Sequence, residues 1–309
     1  MSSQVSLPLP PSNPSEIRRV AFLGTPEIAV PTLTAIVEAG YQVPLVVSGE
    51  DKRRGRGKEK SPTPVKALAL EYGLAVSASV DDLLVEHQRE PIDLAVVVAF
   101  GQIIRTHVLA EIPMVNLHFS ALPRWRGAAP VERAILAGDT ETAVDVITVA
   151  EGLDEGDIWA ELPWILEPED TLHEVWHQMS LAGAKLIVDT MRSGFTDPIA
   201  QSGETVYAKK LRSEDLQIDW TRPASELHRI IRVGNAWTSF DGERFKIHEA
   251  TVSDDARHAA GEIQDLVVGT GDGGLVLSVV QPAGKPRMDA SAWANGAQPD
   301  GSSFDPIAE

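Results

Sequence analysis

The chain has 309 residues, 43% of them hydrophobic, a formal net charge of −18 and no cysteine. That length exceeds one ordinary core and suits two domains, each able to bury its own apolar surface. The missing cysteines exclude disulfides, thiolate catalysis and cysteine-ligated zinc, and so negative a chain disfavours nonspecific binding to nucleic acid, so any such partner has to be gripped locally.

The first stretch, "MSSQVSLPLPPSNPSE", has no basic n-region and no apolar h-region. It reads as a disordered Pro/Ser extension over residues 1–16, not as a signal peptide. From Arg18 onward β-rich and helical runs alternate: "RRVAFLG", "IAVPTLTAIVEAG", "QVPLVVS", then "TPVKALALEYG" with Pro64 suited to a first helical turn and Gly73 to a stop. "LAVSA", "VDDLLVEHQ", "IDLAVVVAF", "MVNLHFS", "PVERAILAG" and "AVDVITVAEGLD" continue the alternation. Strand then helix, with nearly continuous apolar strands, predicts an α/β domain over residues 17–194, doubly wound and Rossmann-like around a parallel sheet. The apolar spacing of residues 171–194 predicts one long amphipathic helix stopped by Gly194.

After Gly194 the texture becomes polar and turn-rich, which predicts a linker over 195–208. Residues 209–309 then hold a helix through "PASELHRIIRVG" and alternating strands in "ERFKIHEATV" and "GLVLSVVQPAG", separated by turns such as "GTGDGG". Short strands with little helix predict a small, OB-like β-barrel, with a frayed tail from about Asn295. The longest apolar runs, such as "IDLAVVVAF", are about half of what a bilayer needs, so no membrane span is expected. With the absent cysteine, this fits a cytoplasmic protein.

One segment runs against the charge of the rest. "KRRGRGKEK", residues 52–60, carries a net +5, so the other 300 residues stand at −23. By itself such a run is as easily a solvated surface loop as a binding element.

Two places at the ends of apolar strands carry polar side chains. If residues 114–120 are a strand, Asn116, His118 and Ser120 share one face while Leu117 and Phe119 take the other. Asp154 follows the strand "VDVITVA" in a turn supplied by Gly152 and Gly156. Ligands of doubly wound sheets bind outside the carboxyl ends of the strands, so amide, imidazole and carboxylate can converge on one pocket. There is no Gly-x-Ser-x-Gly elbow, and "GTPEIAVP" after the first strand lacks the dinucleotide glycine pattern. His, Asp and Asn without a nucleophile suit direct transfer between two bound substrates: an amine attacks a carbonyl, Asn116 and a protonated His118 stabilise the oxyanion, and Asp154 orients the imidazole or shuttles the amine proton.

These residues, with "FLGTPEIAVP", "RGRGKEKSPTPVKALA", "VVVAFGQI", "VNLHFSALPRWRGAAP", "ILAGDTETAVDVITVAEGLDEGDI", "TVYAKKL", "IDW" and "VQPAGKPRM", resemble the methionyl-tRNA formyltransferase family in family order from about Arg18 to Trp293. The resemblance implies formyl transfer from 10-formyltetrahydrofolate, as co-substrate, to the α-amino group of initiator methionyl-tRNA, with no metal. It implies Asn116, His118 and Asp154 as the catalytic trio and Ser120, Ala121, Leu122 and Pro123 as the folate-contacting stretch. The basic residues Lys52, Arg53, Arg54, Arg56, Lys58 and Lys60 then become the tRNA-contacting loop of an enzyme expected to be monomeric. The chain departs from the family pattern at Ala121, where a leucine is usual, at Phe119, where a small residue is usual, and in a shortened "RVGNAWTSF" segment. A sugar-nucleotide amine formyltransferase would share the trio and the folate wall but would not need the basic loop. A folate-dependent hydrolase would have to admit water, and a noncatalytic RNA-binding or ligand-sensing protein would have no use for the trio.

Overall fold

The apolar runs between residues 20 and 118 become the parallel strands of one seven-stranded sheet in the computed structural model, which describes residues 7–53, 60–254 and 258–307. Across the sheet the strands run Val76–Ser77, Val46–Val47, Val20–Gly24, Leu94–Val98, Met114–His118, Glu141–Thr148 and Ile158–Ile165. The first five pair in parallel, and in chain order they are strands 3-2-1-4-5 of a doubly wound fold. The last two are antiparallel additions: Glu141–Thr148 joins the sheet after the strand Arg124–Gly127 and the helix Pro130–Ala137, and Ile158–Ile165 then turns back beside it through a short loop, where a parallel return needs a crossover. The expected parallel sheet is thus a mixed one.

Helices begin and end where local chemistry dictates. Pro64 opens the helix Pro64–Glu71, the Thr63 hydroxyl accepts from the Lys66 N–H at 3.2 Å, and Gly73 takes φ +68° just past its end. Thr171 and Glu174 cap each other at the start of Leu172–Ser193, the Thr171 N–H donating to Glu174 at 2.9 Å and the Glu174 N–H to Thr171 at 3.3 Å. The same helix comes so close to the sheet at Gly183 that a Cβ there would lie 2.7 Å from Leu117 Cδ2.

The chain divides into two compact units that interleave along the sequence. The first comprises the chain through Pro130 with Glu141–Ile165 and Trp176–Lys209; the second comprises Val131–Thr140, Leu166–Val175 and everything from Lys210. Two expectations need correction within the first unit. Residues 7–16 are not a disordered extension: Pro14–Glu16 form a 3₁₀ turn capped by Asn13, Leu7 packs on the core, and the Pro11 carbonyl accepts from the Phe195 N–H at 3.0 Å. Residues 195–208 are not a free linker, since Ile199 exchanges two 2.8 Å backbone hydrogen bonds with Ile158 and Val206–Ala208 pairs in parallel with Arg124–Gly127. A polar, turn-rich texture describes a strand that runs along a unit's surface as well as it describes a linker.

The second unit is an antiparallel sheet in the order Trp237–Phe240, Glu243–Ser253, Gly274–Gln281, Val267–Gly269 and Ile263–Gln264, with Met288–Asp289 added on Gly274–Gln281. Its helix Ala224–Val233 buries Leu227, Ile230 and Ile231. Phe245, Trp293 and Phe304 pack at its centre, and Trp220 stacks on Phe304 at 5.0 Å. The tail expected to fray from Asn295 instead returns Phe304 to this aromatic core, where it is buried. Among the described residues no helix is long and apolar enough to cross a membrane.

Candidate active site

Strand alternation sorts the side chains of Met114–His118. Leu117 faces the helix at Gly183, and Asn116 and His118 fall on the opposite face at the strand's carboxyl end. Phe119 turns away from them and packs edge-on to Trp176, ring centroids 5.0 Å apart. His118 is only 5% exposed, and its ring is held by the main chain: Nε2 lies 3.1 Å from the Trp125 carbonyl oxygen. A carbonyl only accepts, so Nε2 carries a proton there and Nδ1 is the edge turned to the site. Ser120 Oγ donates to the Arg124 carbonyl at 2.7 Å, so the turn after the strand is tied to Arg124–Gly127 twice.

Asp154 arrives from the loop between the two antiparallel strands, at φ +51°. Gly156 is required beside it: a Cβ at that position would sit 1.9 Å from the Thr148 carbonyl oxygen. Asp154 Oδ2 accepts from the Gly127 N–H at 2.9 Å and lies 3.6 Å from His118 Nδ1, while Oδ1 is 3.4 Å from Asn116 Nδ2. The three residues singled out from the sequence are therefore brought to one point. The main-chain hydrogen bond is tight and the two side-chain contacts are long.

Of the expected folate stretch, Ser120 is fully buried, Ala121 is exposed, and Leu122 packs on Ile147 and Ile158. Of the basic segment, the Lys52–Arg53 backbone pairs antiparallel with Lys60–Ser61, leaving from the carboxyl end of the Val46–Val47 strand; Lys60 is exposed. Arg54, Arg56 and Lys58 lie outside the described residues. The base of this hairpin is fixed by a Ser48–Thr63 hydroxyl contact at 2.6 Å and by Lys66 on Asp51 at 2.8 Å.

Three residues that sequence reasoning missed brace the site, two at the Asp154 turn and one at the stretch after His118. Gln201 Nε2 donates to the carbonyl oxygens of Asp154 and Gly156, both at 2.8 Å, and its Oε1 accepts from Arg126 Nε and Nη2 at 3.0 and 2.7 Å. Arg126 also pairs with Glu155 at 3.5 Å. Asp145, fully buried on Glu141–Thr148, accepts the Leu122 N–H at 3.0 Å, and burial pushes its carboxyl up to about 7. Asp145 alone gave a sequence signal, an acid within the apolar run "AVDVITVA".

Buried donors set around a carboxylate at strand ends can hold a carbonyl, stabilise the oxyanion formed when it is attacked, and move a proton. Comparison with known proteins agrees with that chemistry. Residues 18–191 match the family model "Formyl transferase" and residues 210–298 match "Formyl transferase, C-terminal domain". A protein of Heliobacterium modesticaldum named methionyl-tRNA formyltransferase is 40% identical over 305 residues, covering 90% of this chain and 96% of that one. Among solved structures, an N-formyltransferase of Helicobacter canadensis in complex with folinic acid and dTDP-3-aminofucose superposes with a TM-score of 0.66 at 17% identity, over 86% of this chain and 99% of its own. A methionyl-tRNA formyltransferase of Clostridium thermocellum gives 0.58 at 16% identity, over 77% and 95%. At such identities these two likenesses speak for the fold alone.

Proposed function

The chain belongs to the methionyl-tRNA formyltransferase family, and from that premise we propose that Asn116, His118 and Asp154 carry the transfer of a formyl group from 10-formyltetrahydrofolate to the α-amino group of methionyl-tRNA. The observation behind this assignment is the Asp154 carboxylate, set between Asn116 Nδ2 at 3.4 Å and His118 Nδ1 at 3.6 Å at the strand ends. The acceptor amine needs little activation, since a free α-amine titrates at about 7.7–8.0 and a good share is already nucleophilic at neutral pH. Orientation and charge stabilisation are what the site has to provide.

The amine nitrogen attacks the formyl carbon, and the carbonyl electron pair moves onto oxygen. Asn116 Nδ2 and the protonated Nδ1 of His118 donate to that oxyanion. Asp154, anchored by the Gly127 N–H, takes the proton that the amine must lose. Collapse restores the carbonyl and breaks the bond to folate N10, which receives a proton in exchange. The Ser120–Pro123 stretch walls the donor, and Lys52, Arg53, Arg54, Arg56, Lys58 and Lys60 contact tRNA phosphates beside the strand ends. Phosphate contacts position without reading bases, so preference for the initiator comes from elsewhere, such as an easily opened end of its acceptor stem. The same reading takes the enzyme as a cytoplasmic monomer, the second part of which sedimentation velocity checks.

The decisive experiment offers the protein 10-formyltetrahydrofolate with methionyl-tRNA and, separately, with an amino-sugar nucleotide, and identifies the formylated amine. Formylation of the tRNA amine alone is expected. His118→Ala and Asp154→Asn should each lower kcat by about 10²- to 10⁴-fold with tRNA affinity nearly unchanged. A comparable loss of tRNA binding in either variant overturns the assignment.

A further inference from the structure

Asp145 is a fully buried acid that the transfer chemistry does not use. It stands in register with His118 on the neighbouring antiparallel strand, so both side chains leave the sheet on one face. Its Oδ2 accepts the Leu122 N–H at 3.0 Å, and its Oδ1 has no hydrogen-bond partner. A buried acceptor left half-satisfied costs stability, and an apolar residue would serve a plain strand better. Among the described residues its hydrogen bond goes to an amide in the middle of Ser120–Pro123.

We propose that Asp145 is a positioning residue for the folate donor: by holding the Leu122 amide it sets the turn that walls the donor, and so tunes donor affinity without touching the reacting atoms. The proposal rests on the reading of Ser120–Pro123 as the donor wall. Burial also places the carboxyl where it changes charge near neutrality. An ionised acceptor makes the stronger hydrogen bond, so the wall is held more firmly above that pH. The titratable groups facing Asp145 are His118 on one neighbouring strand and Glu161 on the other. The turn above it presents the Leu122 amide and an apolar side chain packed on Ile147 and Ile158. The helix Leu172–Ser193 packs on the opposite face, at Gly183.

The test uses Asp145→Val, whose β-branched side chain suits a buried strand but accepts nothing, and Asp145→Asn, whose Oδ1 still accepts the Leu122 amide. Steady-state kinetics should show the donor KM of Asp145→Val raised about five- to tenfold, the worth of one hydrogen bond, with the methionyl-tRNA KM unchanged. Asp145→Asn should restore the donor KM. The wild-type donor KM should fall as pH rises through about 7, and that of Asp145→Asn should not. An unchanged donor KM in Asp145→Val, an equal rise in both variants, or a wild-type pH profile in Asp145→Asn each overturns the proposal. Leu122→Ala separates the two levels. If it raises the donor KM while Asp145→Val does not, the wall stands and the role of Asp145 falls. If neither changes it, the wall assignment fails and takes this inference with it.

Discussion

Gln201 Nε2 donates to the main-chain carbonyl of Asp154 at 2.8 Å and again to that of Gly156, so one side-chain amide clamps both ends of the short turn that presents the carboxylate. Its orientation is not arbitrary, because Oε1 already accepts two guanidinium N–H groups of Arg126. Gln201→Glu keeps the acceptor for Arg126 but removes both donors and sets carboxylate oxygen against carbonyl oxygen. Expected is a fall in kcat of about ten- to a hundredfold, from loss of one or two hydrogen bonds. Both KM values should stay close to wild type, since the proposed mechanism gives the turn a proton to accept and no substrate to grip. Steady-state kinetics with each substrate varied in turn checks it.

The same turn is intolerant of bulk at Gly156, where an added Cβ would overlap the Thr148 carbonyl oxygen at 1.9 Å. Backbone cannot swing away as a flexible side chain can, so Gly156→Ala has to displace the turn itself. The expected outcome is loss of activity comparable to that of Asp154→Asn, with a thermal midpoint lowered by a few degrees. Gly284→Ala is a control for a glycine whose added Cβ meets nothing, although φ +70° carries its own strain. Its activity should be unchanged.

What could be read from the residues alone divides along side chain and main chain. Asn116 and His118 were legible because alternation along an apolar strand leaves polar residues on one face, and Asp154 because it follows a strand end between two glycines. The groups that hold them were not. The Trp125 carbonyl, the Gly127 N–H and the Asp154 and Gly156 carbonyls that Gln201 clamps are main-chain atoms, which no residue type announces. The same limit hid the pairing of Arg124–Gly127 with Val206–Ala208, two polar strands that bury little and so show no apolar period. Fold class followed from the alternation of strands and helices. The antiparallel turn-back of Glu141–Thr148 and Ile158–Ile165 did not, because apolar strands read alike in either direction.

Asp145 also makes a prediction about stability. Its carboxyl is raised from the ordinary 3.8 to about 7 in the folded chain, chiefly by burial, with the Leu122 amide opposing and the Glu161 charge adding to the rise. Well below pH 3.8 the group is protonated in both states and carries no charge penalty. As pH rises toward 7 the unfolded chain releases the proton and the folded chain keeps it, so stability is progressively lost, and the loss is complete above the folded value. Three pH units at 1.36 kcal/mol each set an upper limit of about 4 kcal/mol. Asp145→Asn carries no such charge. Urea unfolding at pH 5 and pH 8 should therefore show the variant gaining on wild type at the higher pH, and parallel profiles would contradict the burial argument.

The hairpin that starts at Lys52 gives the last prediction. Its base is tied by hydrogen bonds, with Lys52–Arg53 paired to Lys60–Ser61, Ser48 to Thr63 and Lys66 to Asp51. It leaves the sheet at the carboxyl end of Val46–Val47, the edge that also carries Asn116 and His118. A net +5 in nine residues is set against −23 in the rest of the chain, so this segment carries charge opposite to that of the remaining residues taken together. If those cations meet the tRNA backbone, each phosphate they neutralise releases counterions, and binding must weaken with salt in proportion. In a variant with Arg53, Arg54, Arg56 and Lys58 changed to Gln, the log–log salt slope of tRNA binding should flatten by about 0.7–0.9 for each phosphate no longer neutralised. Transfer at saturating tRNA should be preserved, because the proposed mechanism places the reacting amine and formyl groups at the trio and not at the hairpin. A slope equal to wild type would make the segment a solvated loop and leave tRNA capture to other surfaces.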